Sequence, residues 1–222
     1  MKYIFHHLGL GDHIICNGMV RNYKQIYGKV TVFCKPHNFK NVEYMYRDDD
    51  NIIVLPIGEV WDIDSYILTN NIEKDTIRIT ADYSCSTFDE SFYKQSGFPF
   101  EFRYSKFKFL RDLDKEEEIY HKLNPKNEKY IFVHDDFNRG FLIDNNKHRN
   151  DLKIIKNNSD FNVFDLMKIY ENSEEIHFME SSISALINSY VMEKPKLFLH
   201  KYVRNYENYL HTKSKNKINV IY

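Results

Sequence analysis

What most constrains this chain is the alternation of two patterns along it. Short runs rich in β-branched and aromatic residues recur, such as KVTVFC at 29–34 and NIIVL at 51–55. Between them lie stretches whose apolar residues return at helical spacing. A parallel pair of strands needs a long crossover, and a helix that also covers a sheet face is the usual one. The alternation therefore predicts an α/β chain with parallel sheets and helices on both faces.

Element by element, the reading begins with a buried strand in KYIFHHL, residues 2–8. A helix follows from Asp12 to about Gly28, on Ile15, Gly18, Met19, Tyr23 and Ile26, with Gly28 as its stop. Strands are expected over 29–36, 51–57 and 75–82, with helices in NFKNVEYMYRDD and, more weakly, DIDSYILTN. Across 83–128 the alternation breaks. Scattered aromatics, a GFP turn at 97–99 and the acidic-to-basic helix DLDKEEEIYHKL read as a linker or crossing segment. EKYIFVHDD restarts the pattern with a strand over 128–136. A short strand in LKIIKN, a helix over 163–173 and a strand over 174–180 come next. A helix in SISALINSYVMEK, with Ile183, Leu186, Ile187, Tyr190 and Val191 on its buried face, precedes strands over 195–200 and 217–222. Two similar Rossmann-like halves, 1–110 and 111–222, are the economical division, the second of them reduced.

A length of 222 residues allows a real core in each half. The formal net charge of −1 and the lack of a basic block argue against general nucleic-acid affinity. Cys16, Cys34 and Cys85 are odd in number and lack metal-ligand spacing, so they read as thiols in a reducing compartment. The remaining histidines, including His37, His121, His148 and His211, show no metal spacing either. The N-terminal residues enter strand-like sequence without the basic and apolar regions of a secretion signal. A cytoplasmic location is expected.

Three stretches carry candidate chemistry. GLGDH follows the first strand. There Gly9 and Gly11 let backbone N–H groups approach a ligand, the following helix directs its positive end to the same place, and Asp12 and His13 offer an acid or a base. No glycine stands at Ile14, so a dinucleotide fingerprint is not supported. A tight turn with Asp12 as helix cap accounts for the same residues. MESSISAL places Ser181, Ser182 and Ser184 at a helix start, where hydroxyls and free N–H groups suit a phosphate. A plain serine cap is the alternative, and Glu180 beside it suits a ribose hydroxyl or a backbone amide better than a phosphate. VHDDFNRGF gathers His134, Asp135, Asp136 and Arg139 at a strand end. An arginine there suits bidentate phosphate contact, and a solvated loop with an ion pair is the alternative.

Taken in order, these stretches resemble the GT-B glycosyltransferases, and within them the heptosyltransferase-like group. That family carries a GD after its first strand, where GLGDHIICNGMVRNYKQIYGKVTVF stands here, and a late D-[ST]-G-x-x-H motif opposite ESSISAL. The family glycine is Ser182 here and its histidine is Ala185. HDD with Arg139 is also similar to the strand-end His and Arg of GT-B fucosyltransferases. The resemblance implies two halves facing across a cleft and a nucleotide-diphosphate sugar as donor. It implies Asp12 as catalytic base; His13, an imidazole whose unperturbed pKa lies near neutrality, is the reserve candidate. Gly9, Gly11, His134, Arg139, Glu180, Ser181, Ser182 and Ser184 would lie on the donor side. It requires neither a cofactor nor a metal. The acceptor would be a glycan or a lipid-linked saccharide, the latter entailing peripheral membrane contact. A nucleotide-sugar hydrolase or epimerase of the same fold, or a non-catalytic nucleotide- or sugar-binding module, fits the same residues.

Overall fold

The computed structural model describes residues 1–80, 82, 87–158, 160–202, 214 and 216–222, the side chain of Asn138 excepted. Cys85 and His211 lie outside them. The chain separates into two compact units, Met1–Leu110 and Arg111–Tyr222.

In the first unit the order is β1 (Lys2–Phe5), α1 (Leu10–Tyr27), β2 (Val30–Cys34), α2 (Phe39–Tyr46), β3 (Ile52–Pro56), α3 (Val60–Thr69), β4 (Thr76–Arg78), α4 (Phe88–Ser96) and α5 (Phe102–Ser105). All strand pairs are parallel, in the order β3-β2-β1-β4. β2 is buried along its whole length, as a strand covered on both faces must be, whereas the edge strand β3 is only partly covered. Gly28 ends α1 with a φ of 74°, its N–H donating to the carbonyl of Lys24 at 2.8 Å. That left-handed conformation is one that glycine adopts freely.

Residues 87–110 are part of this unit, not a linker. α4 and α5 pack on α1: the Tyr93 hydroxyl donates to the Ile15 carbonyl at 2.8 Å, and Phe92 and Arg103 are fully buried, Arg103 paired with Asp89. Gly18 lets the helices meet, because a Cβ there would collide with the Phe102 carbonyl. The aromatics that obscured the sequence pattern are the packing surface itself.

The second unit runs α6 (Leu113–Leu123), β5 (Tyr130–Val133), β6 (Lys153–Lys156), α7 (Met167–Asn172), β7 (Glu175–Met179), α8 (Ser182–Ser189), β8 (Lys196–His200) and β9 (Ile218–Ile221). Its sheet is also parallel throughout, in the order β6-β5-β7-β8-β9. Among the described residues, reduction falls on its helices: they span 11, 6 and 8 residues, against 18 for α1 alone, and the β5-to-β6 crossover holds only short 3-10 turns. The sheet, with five strands, is the larger of the two. α8 stops at Ser189, short of Tyr190 and Val191. The Asn216 amide takes the carbonyls of Ile187 and Tyr190 at 2.5 and 2.8 Å, closing the helix from a distant part of the chain. Val191 is accordingly half exposed rather than on a buried helix face.

Candidate functional site

Each sheet has one place where its winding reverses. In the first unit, β1 leads to β2 on one side while β4 lies on the other; in the second, β5 leads to β6 while β7 lies opposite. Connections leave such a pair of strands in opposite directions and open a crevice beyond their carboxyl ends, where α/β proteins hold ligands. The sequence candidates fall at these two places.

At the carboxyl end of β1, Gly9 rather than Asp12 is the N-cap of α1, its carbonyl receiving the N–H groups of Asp12 and His13 at 3.0 and 3.1 Å. Asp12 sits in the first turn and reaches back to His7, Oδ2 to Nδ1 at 2.5 Å. Its side chain is 12% exposed and that of His7 54%. Gly11 lies in the same turn, partly exposed. His13 is wholly buried, with neither ring nitrogen hydrogen-bonded, and packs edge-on against His6 at 4.5 Å. Burial pushes His6 down to about 4, and holds His13 well below its ordinary value with the His6 charge as a further cause. Both rings are therefore neutral near pH 7. The first unit thus brings Asp12 together with His7, a residue to which the sequence reading gave no role, and leaves His13 inside.

In the second unit, His134 follows β5 and Glu180 and Ser181 follow β7. The His134 N–H bonds the His177 carbonyl at 2.8 Å, and its Nδ1 lies 3.4 Å from the Ser181 hydroxyl. Burial lowers the His134 pKa to about 4, against opposing pulls from Asp136 and Asp135. Arg139 stands on the turn after β5, held by its ion pair with Asp136 and by a 2.9 Å bond from its guanidinium to the Glu180 carbonyl. Gly140 closes that turn at a φ of 76°. Asp135 faces inward, fully buried, accepting from the Ile143 N–H at 2.8 Å and from Lys156 at 2.5 Å. Ser181 caps α8, its hydroxyl accepting from the Ser184 N–H at 3.5 Å. Ser182 opens the helix, and Ser184 is buried within it.

Glu180 pairs with Lys201 at 3.0 Å, both side chains almost fully buried. The sequence reading missed this lysine. Its signal was there: a cation directly after the strand FLH, at a carboxyl end. Among the described residues no group of three His, Cys, Asp or Glu is placed to hold a metal ion. No helix among them is long and apolar enough to cross a membrane.

No protein-family model matches this chain, and no curated protein sequence does. Solved structures do. A glycosyl transferase family 9 structure from Veillonella parvula superposes with a TM-score of 0.57 at 9% identity, covering 90% of this chain and 80% of its own. The ADP-heptose LPS heptosyltransferase II of E. coli gives 0.56 at 9% identity, covering 100% and 90%. The chain therefore has a GT-B-type fold, shared with these two structures.

Proposed function

We propose that this chain is a glycosyltransferase that moves a sugar from a nucleotide-diphosphate donor to an acceptor hydroxyl. The observation that carries the reading is the position of the polar groups. Each parallel sheet has its candidate residues at the carboxyl ends of the strands where the winding reverses, and the fold is one shared with glycosyltransferases.

The donor is assigned to the second unit. Arg139 and the N-terminus of α8, with the hydroxyls of Ser181 and Ser182, would meet the negative charge that grows on the diphosphate as the glycosidic bond breaks. No cofactor is invoked for that step. The pair formed by Glu180 and Lys201 would face the sugar or ribose, a carboxylate accepting from hydroxyls where a phosphate would be repelled. His134, buried and neutral, holds Ser181 and serves the site by position. The acceptor hydroxyl is assigned to the first unit, at the turn that carries Gly9 and Gly11 after β1, where Asp12 supplies the general-base function. A positioned base contributes about 10²–10⁴-fold, so leaving-group stabilisation would carry a comparable share. Because the E. coli neighbour is an ADP-heptose enzyme, ADP-linked sugars are the first donors to try.

The test is release of nucleoside diphosphate from ADP-, UDP- and GDP-linked sugars, with glycan and lipid-linked saccharide acceptors. Transfer by the wild-type chain is expected. Asp12→Asn should lower it by about 10²–10⁴-fold while nucleoside diphosphate binding stays intact. Full turnover by that variant would remove Asp12 from the chemistry.

A further inference from the structure

The 2.5 Å contact between His7 and Asp12 divides the work of that base. Asp12 is nearly buried and His7 is more than half exposed, so the pair runs from the interior towards solvent. An ionised carboxylate only accepts hydrogen bonds. With a neutral ring against a carboxylate, the hydrogen between the two belongs to His7 Nδ1, and the ring's lone pair lies on Nε2, at its other edge.

The local backbone is built around this contact. A Cβ at Gly9 would stand 2.5 Å from Asp12 Oδ2 and 3.9 Å from His7 Nδ1, so a side chain there would push the carboxylate off the ring. The His7 ring also meets Phe88 of α4 edge-on, with centroids 6.0 Å apart. Several titratable groups near the pair among the described residues stay uncharged near pH 7 or are already paired. Burial keeps His6 and His13 neutral and pushes the Cys16 thiol up, and Arg103 is tied to Asp89.

We propose that the acceptor proton lands on His7 and that Asp12 acts as its positioning residue. The proposal rests on the glycosyl-transfer reading and refines its base. The acceptor oxygen bonds to the anomeric carbon as the bond from that carbon to the diphosphate oxygen breaks, its electron pair leaving with the diphosphate. The acceptor proton passes to His7 Nε2. The resulting imidazolium is held through Nδ1–H by Asp12, and returns its proton to water after the products leave.

The experiment compares wild type, His7→Gln, Asp12→Asn and Gly9→Ala by kcat over pH 4–9, with ADP, UDP and GDP binding followed in parallel. His7→Gln should lose about 10²–10⁴-fold in kcat, with nucleoside diphosphate affinity within about twofold of wild type. The wild-type profile should show an acid limb, where protonation of the base stops turnover, and His7→Gln should lack it. Gly9→Ala should fall towards the His7→Gln rate. Wild-type kcat in His7→Gln, with Asp12→Asn inactive, would overturn the proposal and leave the carboxylate as the sole base. Nitrogen NMR of the imidazole gives a readout independent of turnover. His7 should carry its hydrogen on Nδ1 in wild type and lose that preference in Asp12→Asn, and an Nε2–H ring in wild type would equally overturn the dyad. No turnover by wild type with any nucleotide sugar would instead bring down the functional reading itself, a result recognisable because it affects every variant alike.

Discussion

The two carboxyl-end sites are built in opposite ways. At the end of β1 the acid–histidine contact is local: His7, Gly9 and Asp12 meet across one turn. At the ends of β5, β7 and β8, groups arrive from separate strands and include two cations, Arg139 and Lys201, each tied to an acid. A local acid–histidine contact suits proton transfer, which needs short range and a defined tautomer. A set of cations and helix N–H groups gathered from several strands suits an extended anion. On the proposed glycosyl-transfer reading, one half serves a proton and the other a phosphate ester.

The largest effect should come from the buried pair in the second unit. Lys201→Ala leaves Glu180 buried and uncompensated, and should cost about 3–5 kcal/mol in urea unfolding, whereas Lys201→Met with Glu180→Leu should recover most of it. Acid should come next. His6 in the first unit and His134 and His200 in the second are each pushed down to about 4 by burial. Their folded-state values lie below the unfolded 6.5, so the stability they contribute is present above about pH 6.5 and is lost as pH falls towards 4, by ~3 kcal/mol for a fully buried ring. Urea midpoints across that range should fall, and His6→Asn should flatten its share of the slope. Arg139→Ala should weaken nucleoside diphosphate binding by ~10–100-fold, the worth of a charge-assisted hydrogen bond, as read by calorimetry. Smallest is Ser181→Ala, which removes the α8 cap and should cost about 1 kcal/mol in stability. A loss of binding far beyond that cost would mean the hydroxyl touches ligand.

Much of the fold was legible because strand–helix alternation is written locally: β2, β3, β5 and β8 fall inside the stretches read as strands, and Gly28 ends α1 as its position suggests. What stayed hidden depends on partners remote in sequence. The aromatic segment before Arg111 looked like a linker because its residues match the surface of α1 rather than a period of their own. α8 seemed longer because its apolar spacing continues past the point where Asn216 closes it. Lys201 could not be paired with Glu180 from sequence, since only the register of β7 with β8, Met179 opposite His200, sets their following residues side by side. The acid at Asp12 was visible as a candidate. Its histidine partner required the turn geometry that Gly9 permits.

The most direct test of specialisation between the two halves is a thermal-shift comparison of wild type, Asp12→Asn and Arg139→Ala against ADP, UDP and GDP. A nucleoside diphosphate at 100 times its dissociation constant stabilises a protein by about 2.7 kcal/mol, well within reach of the method. Stabilisation of wild type and Asp12→Asn by the same nucleotide, with Arg139→Ala losing most of it, is the expected result. No shift in wild type with any of the three, or an equal loss in Asp12→Asn, would contradict it.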